Sequence, residues 1–166
     1  MTSRACFRWL INHDPSEVDK FKNLPVCEER WAYVVGLDDE LLLGGAVTSA
    51  KTETLIQNAD ISYCNGAPLA TIILSAAAIE SHLRFDYQDD TRSGLADLID
   101  RSILDGETKG KLHELRKERN KWVHSREDSE ADEWLYNDIA GEERLDSLAR
   151  EALRLLRTVL YSDQFV

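Results

Sequence analysis

A chain of 166 residues with 43% apolar and 31% charged side chains has the composition of one globular domain with a sizeable core. Its 20 basic and 31 acidic residues give a formal charge of −11, which argues against nucleic-acid binding over a generally basic surface, because such binding rests on Lys and Arg at phosphates. Only three prolines and eight glycines favour long helices over a turn-rich β-sandwich.

The cysteines and the apolar runs indicate in which cellular compartment the protein is expected. Cys6, Cys27 and Cys64 are widely separated and form no CxxC pair, which argues against a disulfide framework or a zinc site and favours a reducing compartment. The longest apolar run, residues 69–79, is too short to cross a bilayer, and residues 1–17 lack the apolar segment of a signal peptide. We therefore expect a cytoplasmic protein that does not bind a membrane and needs no metal or cofactor.

The N-terminal part of the chain is the hardest to interpret. In residues 13–21, "HDPSEVDKF", an acidic residue, a proline and further acids resemble a helix start, whereas residues 31–37, "WAYVVGL", fit either a short strand or part of a helix. Residues 1–37 are therefore predicted as an N-terminal extension whose secondary structure the sequence does not decide. A helical bundle is predicted over residues 38–166, beginning with a long helix from about Glu40 to Cys64 that ends at an Asn-Gly pair.

Four more helices follow in the predicted bundle. The next one spans about residues 67–87, and its apolar positions recur at helical spacing: Leu69, Ile72, Ile73, Ala76, Leu83 and Tyr87. A short helix, "GLADLIDRSIL", precedes one from about 109 to 125, and the last runs from about 142 to 162 with a leucine-rich side. These elements predict an all-α fold, an antiparallel bundle of four or five helices.

The stretch "RKERNKWVHS", residues 116–125, carries the most informative residues. On an ideal helix one face is apolar, formed by Leu112, Leu115, Trp122 and Val123, and Arg119 falls in its middle. A buried guanidinium needs a partner, because a lone buried charge is costly. Glu80 lies inside the apolar stripe of the preceding long helix, so the spacing predicts an ion pair between Glu80 and Arg119.

The same stretch contains Arg119, then the polar Asn120, then His124, an Arg-x4-His pattern near the end of a helix. It resembles the signature of the HEPN superfamily. The preceding helices are also similar to that family in their order, with "AAAIESHLR" first, then "LADLIDRSI", then "LHELRKERNKWVHS". The resemblance covers about residues 40–162.

The resemblance implies a HEPN-type helical bundle that forms a homodimer, with the motif helices of both chains lining one cleft. Many members are metal-independent endoribonucleases that act as toxins or defence effectors, some paired with an antitoxin or regulatory protein. Carried over to this chain, Arg119, Asn120 and His124 become the catalytic residues and RNA the substrate. The ion pair predicted from spacing would make Glu80 a supporting residue for Arg119. Other members are non-catalytic modules that bind a protein or nucleotide partner.

Each of these residues also has a plainer interpretation. Arg119 fits a purely structural ion pair with Glu80, and His124 near a helix C-terminus interacts well with the helix dipole without any catalytic role. Asn120 fits a solvated polar position. His13 and His82 have no motif around them and are interpreted as surface residues.

A second basic feature lies on the last predicted helix. Arg150, Arg154 and Arg157 are spaced i, i+4 and i+7, roughly opposite the leucine face. In a chain of this net charge they are the best candidates for RNA contacts outside the motif. The alternative, which the nearby acids favour, is an ordinary solvated face.

Overall fold

The computed structural model describes residues 25–88, 93–124 and 138–165, and these ranges contain six α-helices. The helices are α1 (Pro25–Leu41), α2 (Ala50–Cys64), α3 (Pro68–Asp86), α4 (Leu95–Arg101), α5 (Gly106–Val123) and α6 (Asp138–Leu160). The all-helical bundle is confirmed, and across the described ranges the one β-type pairing is a single antiparallel bridge between Gly45 and Phe165. None of the described helices is both long and apolar enough to pass through a membrane. His13 lies outside the described residues.

Helix α3 is the centre of the bundle. It packs against α2, α4, α5 and α6, and Ile72, Ala76, Ala78 and Ile79 are at most 1% exposed. Three alanines in a row let neighbouring backbones approach closely, and Pro68 suits the first turn, where no N–H is needed. The predicted helix over about residues 67–87 is therefore confirmed.

The predicted start of the first long helix at Glu40 is wrong. Helix α1 ends at Leu41 and α2 begins only at Ala50, because Ser49 adopts an extended conformation and its Oγ accepts a hydrogen bond from the Thr52 backbone N–H at 3.1 Å. The end of α2 was predicted correctly, since Asn65 follows its last residue and Gly66 turns the chain at φ 75°. Helix α1 runs across the predicted boundary between residues 37 and 38 and packs on α2 and α6.

The end of α6 is tied to the connection between α1 and α2. The Gln164 Oε1 accepts hydrogen bonds from the backbone N–H groups of Leu43 (2.6 Å) and Gly44 (2.9 Å), and its Nε2 donates to the Leu41 carbonyl at 2.9 Å. Gly45 and Phe165 exchange two backbone hydrogen bonds of 2.8 and 3.0 Å. These contacts attach residues 42–49, which contain no helix, to the residues that follow α6.

A buried ion-pair network joins α1, α2 and α6. The Arg157 guanidinium donates to both carboxylate oxygens of Asp60 at 2.8 Å, and its Nε donates to Asp38 at 3.1 Å. Tyr161 donates to the same Asp38 oxygen at 2.7 Å. Arg157 and Asp60 are each 2% exposed, so the bidentate geometry is needed to offset the loss of hydration of both charges.

The interpretation of His82 as a surface residue is wrong. Its side chain on α3 is 5% exposed, and its Nε2 lies 3.1 Å from an Asp86 carboxylate oxygen one turn later. Because α3 is surrounded by four helices, several of its polar side chains are buried together with its apolar ones: Thr71, Ser75, Ser81 and His82. Burial lowers the pKa of His82 although the Asp86 carboxylate opposes this. Burial also raises the pKa of Asp86, and nearby Asp163 adds to that rise.

The buried histidine predicts a loss of stability in mild acid. The unfolded chain binds a proton at His82 near the ordinary pKa of about 6.5, whereas the folded chain binds it only at lower pH. The free energy of unfolding should therefore fall as the pH drops below about 6.5. Asp86 has the opposite sign, since its raised pKa means that the folded chain takes up a proton there before the unfolded chain does. Urea denaturation at pH 7, 6 and 5.5 measures the slope.

The variant His82→Gln should show a flatter dependence over that interval, even if it is less stable at every pH. His113→Gln is the matched control, because His113 is a partly exposed histidine on α5 with a carboxylate partner, Asp100, at 3.0 Å. An unchanged slope in His82→Gln would assign the acid sensitivity to other groups.

Candidate functional site

Helix α5 positions the motif predicted from the sequence. It begins where the Asp105 carboxylate accepts hydrogen bonds from the backbone N–H groups of Glu107 (2.9 Å) and Thr108 (3.0 Å). Leu112 and Leu115 are buried and fix its rotation against the bundle. The opposite face of the helix, which carries Lys117 and Lys121, is exposed to solvent.

Helix α5 ends at the motif histidine. The backbone turns extended at His124, with φ −109° and ψ 120°, and the His124 N–H donates to the Asn120 carbonyl at 3.1 Å. The His124 side chain is exposed, and Asn120 is partly buried. The hydrogen bond between these two residues therefore joins backbone atoms and leaves the imidazole directed outward.

Arg119 reaches toward α3. Its Nη2 lies 3.2 Å from Glu80 Oε2, so the ion pair predicted from helical spacing is present. The Arg119 side chain is 20% exposed and that of Glu80 is 27% exposed, so the pair lies at the edge of the core. Glu80 holds the Arg119 guanidinium in place, and the exposed part of the guanidinium is accessible to a phosphate ligand.

A second arginine, which was not singled out from the sequence, joins this pair. Arg84 lies one turn after Glu80, and its Nη2 donates to Glu80 Oε1 at 2.9 Å. The same nitrogen donates to the Ser93 carbonyl. Two guanidiniums therefore flank one carboxylate. The i, i+4 spacing of Glu80 and Arg84 is the signal that identifies it.

Within one chain the motif residues do not form a single cluster. Across the described residues, no hydrogen bond or ion pair joins the side chains of Arg119 and His124. Arg119 turns toward α3, and His124 projects from the helix end. Five residues separate them, which is about 140° around an ideal helix.

Helix α5 is basic although the protein is acidic. It contains six Lys or Arg and three Glu, in a chain whose formal charge is −11. Each glutamate has a lysine partner three or four residues later: Glu107–Lys111, Glu114–Lys117 and Glu118–Lys121. Exposed pairs of this kind are weak, so the lysines can exchange partners with a phosphate. A count of charges along residues 106–123 identifies this basic helix from the sequence.

The predicted RNA-contacting arginines of α6 face α1 instead of open solvent. Arg150 Nε lies 3.1 Å from Asp146, and the Arg150 guanidinium stacks 5.1 Å from the Tyr33 ring centroid. Arg154 binds Glu40 of α1 through two hydrogen bonds of 2.7 and 2.9 Å. Both side chains remain partly exposed, at 37% and 47%.

Arg157, the third member of that stripe, is buried in the network with Asp60 and Asp38. Its side chain offers a phosphate almost no accessible surface, so we do not carry it forward as an RNA-contacting residue. The alternative interpretation, a solvated face, does not describe it either. Neither interpretation anticipated a carboxylate from α2 beneath the last helix.

Among the described residues, no three His, Cys, Asp or Glu side chains are grouped as a metal site requires. Comparisons with protein-family models, with curated proteins and with solved structures find no match to this chain.

Proposed function

We propose that the protein is a metal-independent endoribonuclease of HEPN type that acts as a homodimer, with Arg119, Asn120 and His124 in its active site. One observation carries the proposal. Arg119 is held by Glu80 while still reaching solvent, on a basic helix that ends at the exposed His124. A phosphate-binding cation and an accessible imidazole are the two groups that the chemistry needs.

The reaction uses the 2′-hydroxyl of RNA as the nucleophile. A general base removes its proton as the oxygen attacks the adjacent phosphorus, and a general acid protonates the departing 5′-oxygen. Histidine suits both roles because its ordinary pKa of about 6.5 lies near neutrality. Arg119 stabilises the additional negative charge that develops on the phosphoryl oxygens. Asn120 orients the imidazole or binds the phosphate.

A homodimer supplies the second histidine. Within one chain Arg119 and His124 point in different directions, and a second α5 facing the first would bring the His124 of one chain near the Arg119 of the other. One imidazole then acts as base and the other as acid. On this proposal the homodimeric ribonuclease is a toxin or defence effector. An antitoxin or regulatory partner would inhibit it by covering α5.

The test is cleavage of a mixed RNA pool in EDTA by the purified protein. We expect products that end in 2′,3′-cyclic phosphate, and no cleavage of the same RNA with 2′-O-methyl groups, because that change removes the nucleophile. Sedimentation in the same buffer measures the dimer. Cleavage of the 2′-O-methyl RNA would contradict this mechanism.

A groove between α5 and α6 favours a second candidate function. It has a volume of about 380 Å³ and an apolar floor that includes Leu115, Leu148 and Leu155. A groove of this size suits a small ligand or the side chains of a partner helix. On this alternative the protein is a non-catalytic helical module that binds a protein or nucleotide partner. RNA would then remain intact at any concentration of the protein.

A further inference from the structure

We propose that the groove between α5 and α6 is the docking site for a basic amphipathic helix of a partner protein. Such docking rests on the same groove as the second candidate function, and it does not require that the chain cleaves RNA. Three features of the groove support this occupant: its shape, the charge of its walls, and a glycine in the middle of α5.

The groove is elongated along α5. The α5 residues that line it run from Gly106 to Glu118, a length of about 18 Å at 1.5 Å per helical residue. Ile72 of α3 lies beneath the groove, and Leu148 and Leu155 line it from α6. An amphipathic helix of similar length presents a matching row of apolar side chains at i, i+3 or i+4, and i+7. The shape therefore fits a helix better than a compact small molecule.

The walls of the groove are acidic. Four carboxylates and one ammonium group line it: Glu107, Glu114 and Glu118 of α5, Glu151 of α6, and Lys111. The lysines that pair with Glu114 and Glu118 do not line the groove, and their side chains are 58% and 46% exposed. The carboxylates thus lie at the groove while those two ammonium groups lie outside it, so the local field favours a cationic partner.

The position of the acids also discriminates between classes of partner. A nucleotide in the groove would bring its phosphates close to carboxylates on both walls, and like charges at short distance repel. A helix with Lys or Arg on either side of its apolar stripe instead places opposite charges against both walls. The charge therefore favours a basic polypeptide over a nucleotide.

Gly110 leaves room for the backbone of a docked helix. Glycine inside a helix is less stable than alanine, yet a Cβ on Gly110 would meet no atom within 4 Å in the part of the chain that the structure describes. Packing among the described residues therefore does not require glycine here. Gly110 lines the groove one turn after Gly106, where a Cβ is equally unobstructed. Two glycines on one face let a second backbone approach closely.

The first experiment identifies the chemistry of the partner by selection. A yeast-display library of amphipathic helices of about 14 residues carries Leu, Ile, Met or Phe along one stripe and Lys, Glu, Gln or Ala at the flanking positions. Fluorescently labelled full-length protein selects binders, and clones that also bind the Gly110→Leu variant are removed. We expect the remaining clones to be enriched in lysine over glutamate at the flanking positions.

The second experiment locates the binding of the most enriched helix, as a labelled synthetic peptide, by fluorescence anisotropy. Gly110→Leu fills the groove and should weaken binding by more than about tenfold. Gly36→Leu is the matched control, because Gly36 is an exposed helical glycine on α1 whose Cβ would also meet nothing. Its Kd should stay within about twofold of the wild type. Leucine should raise the thermal unfolding midpoint of both variants, since it favours a helix more than glycine does.

A pair of charge reversals on α6 tests the acidic wall. Glu151→Lys replaces an attraction by a repulsion and should weaken peptide binding by about fivefold. Glu143→Lys makes the same change at an exposed position of the same helix outside the groove, and should change the Kd by less than about twofold.

The outcomes are distinct. No enriched clone, flanking positions enriched in glutamate or neutral residues, or equal weakening by the groove variants and their controls would overturn the docking site. A homodimer that dissociates in Gly110→Leu and not in Gly36→Leu would make a second copy of this chain the occupant, which also overturns it. No RNA enters the selection, so its failure leaves the ribonuclease proposal standing, and absence of RNA cleavage leaves the docking site standing.

Discussion

Replacing His124 with alanine is expected to lower the rate of RNA cleavage in EDTA by about 10²- to 10⁴-fold, the usual contribution of general acid–base catalysis. His124 is exposed at the end of α5, so the substitution leaves the core packing of the helix intact. The measurement is the initial rate of cleavage of a labelled RNA, with the Kd for the 2′-O-methyl oligonucleotide determined in parallel. Loss of rate with the Kd retained would place the histidine in the chemical step.

His113→Ala is the matched control. His113 lies on the same helix, eleven residues earlier, and its Nε2 is 3.0 Å from the Asp100 carboxylate. We expect this variant to cleave RNA at the wild-type rate. Equal activity of wild type and His124→Ala would trace the cleavage to a contaminating nuclease, and equal losses in both histidine variants would point to a general effect on α5.

Replacing Asp60 with alanine is expected to lower the free energy of unfolding by about 3–5 kcal/mol, the usual result of removing one partner from a buried ion pair. Asp60 accepts two hydrogen bonds of 2.8 Å from Arg157, and both residues are 2% exposed. Without Asp60 the guanidinium stays buried, and among the described residues Asp38 of α1, at 3.1 Å, is its one remaining carboxylate partner. Urea denaturation followed by circular dichroism measures the loss.

Two variants test the reason for that loss. Glu40→Ala removes the partner of Arg154 at the exposed junction of the same helices, α1 and α6, and should cost far less, because solvent screens that pair. The double variant Asp60→Leu/Arg157→Met replaces the buried pair by apolar groups and should recover most of the stability lost by Asp60→Ala. If the double variant is no more stable than Asp60→Ala, then altered packing around Asp60, and not the unpaired buried charge of Arg157, causes the loss in the free energy of unfolding.

The sequence by itself determined much of the bundle and one long-range contact. The apolar spacing correctly places Ile72, Ala76 and Leu83 of α3 and Leu112 and Leu115 of α5 in the core, and the bounds of α3 follow within one residue. Val123, predicted on the same apolar face of α5, is instead 47% exposed. A charge inside an apolar stripe must find an opposite charge, and this rule paired Glu80 with Arg119 across 39 residues. The location of His124 at a helix end also follows from the sequence.

Only the tertiary structure decided what lies opposite each polar face. Arginines spaced i, i+4 and i+7 look the same whether solvent or carboxylates face them, and α1 and α2 supply Glu40, Asp38 and Asp60 from sites more than 90 residues away. Burial of Thr71, Ser75 and His82 on α3 depends likewise on four neighbouring helices that no local spacing encodes. Periodicity describes one helix at a time, whereas the environment of a charge depends on every element that packs against it.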